Sequence, residues 1–129
     1  MNLFLLINVF LTPFLMILLG SLWTKRFPAN INKLYGYRTK WSMLSQSTWT
    51  FGNKTFSRLF FIFGIISLIF TAIYDKNRFT SLVFIQILLL FIPFCITEIL
   101  LRILYNDKGE KSKKERLYEE INDITYVLL

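Results

Sequence analysis

Long apolar runs separated by short polar segments set the pattern of this chain. They cover residues 3–23, 59–74 and 79–101, and charged side chains are almost absent from them. At 1.5 Å per residue these stretches make helices of about 31, 24 and 34 Å, against a hydrocarbon core of about 30 Å. The second run is short, but Thr55, Phe56 and Ser57 extend it backwards, with Lys54 and Arg58 reaching the headgroups. The pattern predicts membrane helices over about 3–23, 55–75 and 79–104. The second can start as early as residues 45–48, where hydroxyl oxygens are placed to cap free amides. A cleaved signal peptide competes for the first run. That alternative wants a basic start and a small-x-small site, whereas the run begins Met1-Asn2 and ends on Leu22, Trp23, Lys25 and Arg26. A retained helix is the expectation. Pro13 lies inside it and leaves the carbonyl of Val9 without its helical donor.

Finer features sit on these runs. Ser57, Gly64, Ser67 and Thr71 share one face of the second helix, the kind of surface that lets membrane helices approach closely. The third helix carries Gln86, Pro93 and Glu98. Arg102 follows Glu98 by one helical turn, in the favourable order for an ion pair, so a Glu98–Arg102 pair is expected. An ionisable residue in a membrane segment is also a functional candidate. After a charged stretch over residues 106–116, Leu117, Ile121, Ile124 and Leu128 repeat at helical spacing. Such an amphipathic helix can lie on the membrane, pack on the first loop, or dock a partner. The expected architecture is an all-α integral membrane protein: a membrane domain of three helices over 1–109 and a charged, amphipathic tail over 110–129.

Composition removes several function classes. Charged residues make up 18% of the chain, below the roughly one quarter usual for a soluble domain. There is no His, and Cys95 is the single Cys, so the commonest base, the commonest metal ligand and an intrachain disulfide are all missing. No nucleophile–base pair is evident, and neither enzyme activity, a metal nor a cofactor is expected. Charge placement then predicts orientation. Lys25, Arg26, Lys33, Arg38, Lys40, Lys54 and Arg58 lie between the first two helices, and Arg102, Lys108, Lys111, Lys113, Lys114 and Arg116 follow the third. Only Lys76 and Arg78 lie between the second and third. The positive-inside rule puts the first loop and the tail in the cytoplasm, with the N-terminus and the short second loop outside.

The first loop, residues 28–49, is the richest in candidate chemistry. Asn30, Tyr35, Gly36 and Tyr37 suit a turn at the membrane interface, with Gly36 free to take a positive φ. Arg38 offers a planar fork for a phosphate or carboxylate, and Thr39 adds a hydroxyl. Trp41 and Trp49 bracket an uncharged, hydroxyl-rich stretch. Arg38 has three possible targets here: a ligand, a lipid phosphate, or Glu98. A nucleotide cradle is not among them, since one Gly stands where several are needed.

Pro28, Asn30, the tetrad Gly36, Tyr37, Arg38 and Thr39, then Ser42, Trp49 and Asn53 ahead of a membrane helix, resemble the SdpI family of bacterial membrane proteins. So does the end of the third helix, with Thr97, Glu98, Leu101 and a close at Asn106 to Gly109. The likeness spans about residues 28–109. It departs at Ser47 and Thr48, where the family usually has an acidic residue, and at Trp41, where a basic residue or Pro is common. The resemblance implies a multi-pass protein of the bacterial cytoplasmic membrane that gives immunity to a secreted, membrane-active peptide toxin and signals by holding a cytoplasmic regulator. Membrane lipid is the other expected partner, a homo-oligomer is compatible with the pattern, and direct nucleic-acid contact is not expected. A second reading is a small oligomeric transport or permeation component built on Gln86, Glu98 and the small face of the second helix.

Overall fold

The computed structural model describes residues 2–111 and 113–128 of the chain. Its helices are α1 (Leu3–Arg26), α2 (Gln46–Ile73), α3 (Phe79–Leu104) and α4 (Lys113–Leu128), with a short 3-10 turn, Lys76–Arg78, between α2 and α3. The first three of these are long and apolar enough to cross a membrane. The side chains of Lys76, Lys113, Lys114 and Arg116, counted above among the cations, lie outside the described part.

Local chemistry explains the helix ends. The Asn2 side chain caps α1 by accepting from the Leu5 amide at 2.9 Å. At its other end α1 runs past its apolar stretch to Lys25 and Arg26, cations that suit a helix C-terminus. The start of α2 is set by a reciprocal cap rather than by the apolar run. The Thr48 amide donates to Ser45 Oγ at 3.1 Å and the Ser45 amide donates to Thr48 Oγ1 at 2.9 Å. The helix therefore begins at Gln46, well before the expected boundary at residue 55 and where the hydroxyl cluster allows it.

Helix α2 is the shared partner of the bundle; α1 and α3 pack mainly on it and little on each other. Where α1 crosses α2, two glycines bring backbones together. A Cβ on Gly20 would sit 2.6 Å from the Phe61 amide nitrogen, and one on Gly64 would sit 2.9 Å from that of Ile17. Ser57, Gly64, Ser67 and Thr71 are all buried, so the small face of α2 is its packing face. Large side chains such as Phe4, Phe14, Phe84 and Phe91 instead point outward. That arrangement suits lipid as solvent, where close contact rather than apolar burial holds helices together.

One side chain ties all three helices. Gln86 on α3 donates from Nε2 to the Val9 carbonyl of α1 at 2.7 Å and to Thr71 Oγ1 of α2 at 2.9 Å. Val9 is the residue whose carbonyl Pro13 leaves without an amide partner. In hydrocarbon no water can satisfy an open carbonyl, so the Gln86 amide repairs the gap that the proline makes. Pro93 likewise leaves the carbonyl of Leu89 without its helical donor, and one turn on Thr97 Oγ1 adds a second donor to the Pro93 carbonyl at 2.7 Å.

The up-down-up course places the loop between α1 and α2 at the same end as the C-terminus of α3. The chain after α3 turns sharply, with the Gly109 amide donating to the Asn106 carbonyl at 3.0 Å, before α4 begins. Every described side chain of α4 from Leu117 to Leu128 is exposed.

Candidate functional site

The first loop lacks regular secondary structure but is closely held. Asn53, on the second turn of α2, is its hub. Its Oδ1 accepts from the Tyr37 amide at 2.8 Å, and its Nδ2 donates to the Trp49 carbonyl at 2.9 Å. The Trp49 indole N–H reaches back to the Pro28 carbonyl at 2.8 Å, fixing the start of the loop to α2. Ser42 closes the middle: its Oγ donates towards the Tyr37 carbonyl at 2.9 Å and accepts from the Thr39 amide at 2.8 Å. Trp49, Ser42 and Asn53 are all buried. Buried polar groups left open would be costly, and each partner here satisfies another member of the same knot.

Gly36 is required on two counts. Its φ is +112°, a region that side chains disfavour. A Cβ there would also press on Asn53 Oδ1 and Pro28 Cγ, each at 3.0 Å, and on the Trp49 ring at 3.1 Å. The turn at Gly36 drives Tyr37 inward, against α2 and α3. The Tyr37 ring stacks on Phe56 with centroids 4.7 Å apart and lies tilted on Phe94 at 5.6 Å. Its hydroxyl donates to Glu98 Oε1 on α3 at 2.7 Å. Burial above all, then the hydrogen bond and negative charge of Glu98, hold the phenol above its ordinary pKa. Tyr37 is therefore a protonated donor across the physiological pH range.

This corrects one expectation and closes one of the alternatives left open for Arg38. Glu98 has no ion pair with Arg102 among the described residues; its partner is Tyr37. Arg102 lies instead over the Trp41 ring, 5.7 Å from its centre, a cation–π contact between α3 and the loop. Nor does Arg38 reach Glu98. The clasp between the signature tetrad and α3 exists, but the tyrosine beside Arg38 makes it.

The segment after α3 completes the site from the other side. Gly109, at φ +74°, packs on Ser45, whose Oγ donates to the Gly109 carbonyl at 2.7 Å. Ser47 Oγ donates to the Tyr105 hydroxyl at 3.2 Å, and the Tyr105 ring lies 5.7 Å from that of Phe51. Ser47 and Thr48 thus serve as a contact to Tyr105 and as a helix cap.

The candidate residues separate into two groups. Pro28, Gly36, Tyr37, Thr39, Ser42, Trp49, Asn53 and Glu98 meet in the knot. Asn30, Tyr35 and Arg38 lie outside it and are exposed. The Arg38 side chain has no partner among the described residues, although its neighbour on either side is fixed. Sequence reasoning missed Phe56, Tyr105 and the inward role of Tyr37. An aromatic at helical spacing from Asn53 or Leu101 was the available signal for the first two. No His, Cys, Asp and Glu group among the described residues is arranged to hold a metal.

Comparison with known proteins fits this arrangement. The chain is 32% identical over 95 residues to the uncharacterized protein YfhL of Bacillus subtilis (strain 168), covering 74% of this chain and 86% of that protein. No solved structure matches. The model of the SdpI/YfhL protein family matches residues 29–97, which contain the knot from Gly36 to Asn53 and stop one residue short of Glu98. With its membrane helices and this loop, the chain belongs to the SdpI/YfhL protein family.

Proposed function

We propose that the chain is an immunity and signalling protein of the bacterial cytoplasmic membrane, acting against a membrane-active peptide toxin. Its loop end faces the cytoplasm, where Arg38 engages a regulatory partner. The observation that supports this reading most is the division of the signature loop. Tyr37, Ser42, Trp49 and Asn53 are turned inward, while Arg38 is exposed between two residues whose backbone is fixed. A planar guanidinium presented this way can make bidentate contact with a carboxylate or phosphate, with the backbone already ordered and only the side-chain rotamers left to fix. The orientation follows from the excess of Lys and Arg at the loop end over the turn between α2 and α3.

On this reading the toxin meets the protein within the bilayer or at the opposite end. The signal travels through α3, because Glu98 on that helix holds Tyr37, the residue before Arg38. A shift of α3 biases the position of Arg38 through one hydrogen bond, the kind of discrete contact a two-state switch needs. Gln86, the polar residue a permeation pathway would use, is engaged with Val9 and Thr71 inside the bundle. No observation favours the transport reading. Expression in a toxin-sensitive bacterium tests the proposal. Protection is expected with the native chain, with Arg38→Ala losing the output far more than Lys40→Ala at equal membrane levels. Unchanged sensitivity to every cognate peptide tried sinks the immunity reading, and equal effects of the two substitutions reduce Arg38 to a lipid anchor.

A further inference from the structure

An open cleft of about 410 Å³ lies at the loop end, on a different stripe of α2 from the Trp49 and Asn53 side chains of the knot. It is lined by Gln46, Thr50 and Lys54, successive along one stripe of α2, by Phe51 and Tyr105 rings, and by Lys111 and Glu119 across from them. Helix α2 has 28 residues, about 42 Å, which exceeds a hydrocarbon core of about 30 Å. Its continuous apolar stretch is the C-terminal part from residue 59, so the surplus length is the first turns, which carry the cleft into the headgroup layer.

The lining has the composition of a headgroup site. Among the described lining residues, two ammonium groups and one carboxylate give a single net positive charge. The Lys54 side chain is exposed and has no hydrogen bond or ion pair with a described residue. Thr50 Oγ1 accepts from Gln46 Nε2 at 3.3 Å and retains its own proton for a ligand. Lys111 pairs with Glu119 across the cleft, so this carboxylate occupies a place that an incoming anion would contest. The two aromatic rings beside these groups suit the boundary where polar headgroup gives way to acyl chain.

We propose that this cleft binds the phosphodiester headgroup of an anionic glycerophospholipid, with Lys54 and Thr50 on the phosphate and Glu119 competing with it for Lys111. The site is independent of the toxin reading. A free phosphate carries the same oxygens, and depth in the bilayer is what favours the lipid.

The test uses the full chain released from detergent micelles and weighed by native mass spectrometry. The micelles carry phosphatidylglycerol, phosphatidylcholine or inorganic phosphate in separate runs. One retained phosphatidylglycerol per chain is expected. Lys54→Gln should lower its apparent affinity about tenfold, the effect of one lost charge-assisted hydrogen bond. Glu119→Gln should raise it about threefold by removing the competitor, while Arg58→Gln, a cation outside the cleft, leaves it unchanged. Because Glu119→Gln moves binding upward, a folding defect cannot imitate the full pattern. Equal loss from Lys54→Gln and Arg58→Gln means general charge attraction and overturns the site. Equal retention of phosphatidylcholine overturns the anionic choice, and retention of inorganic phosphate without lipid overturns the assignment to a membrane ligand.

Discussion

The loop between α1 and α2 and the helix α4 make an instructive pair. The loop has almost no regular secondary structure, yet Trp49, Ser42 and Asn53 tie it to α2 and Tyr37 ties it to α3. Helix α4 has complete backbone geometry, yet its apolar stripe of Leu117, Ile121, Ile124 and Leu128 is exposed. Glu119, on the helix face opposite that stripe, pairs with Lys111 in the segment before α4. Regular backbone is thus a poor guide to what is fixed. Partners distant in sequence decide it, because they close a chain loop that unfolding must open again.

The largest break in this contrast should come from Trp49→Ala. It removes a fully buried ring and the indole bond to Pro28, for an expected loss of about 3–5 kcal/mol in chemical unfolding in micelles. Tyr37→Phe keeps the ring stacked on Phe56 but deletes the bond to Glu98, and should cost about 1–2 kcal/mol in the same assay, with Tyr35→Phe as the silent control. Gln86→Leu should cost about 1 kcal/mol by reopening the Val9 carbonyl, without altering the loop. Ile121→Ser on α4 should stay within about 0.5 kcal/mol. Hydrogen exchange sharpens the comparison: the Tyr37 amide, bonded to Asn53 in a loop, should outlast the amides of α4 in a helix. Protection in the opposite order would mean that α4 has a cover of its own and the loop opens freely.

Much of the fold was legible in the pattern of apolar runs, because length and hydropathy alone separate a membrane helix from its alternatives. The small face of α2 could be read from spacing, and the open carbonyl of Val9 from Pro13. Its partner could not, since Gln86 is fixed only when three helices meet. Glu98 shows the limit of local rules. The i,i+4 spacing pointed to Arg102, but Arg102 found the Trp41 ring and Tyr37, 61 residues earlier, took the carboxylate. In the candidate site the residue types were right and their division was hidden. Only the turn at Gly36, with φ +112°, decides that Tyr37 points in and Arg38 stays out.

The bond from Gln86 to Val9 has a consequence for how the protein is made. The two residues are 77 positions apart. At a synthesis rate of about 5–20 residues per second, α1 waits roughly 4 to 15 seconds in the bilayer before its partner leaves the ribosome. During that interval the Val9 carbonyl must borrow a donor from water or from the insertion machinery. The first helix of this protein is therefore born incomplete, and its settling is timed by the arrival of the third.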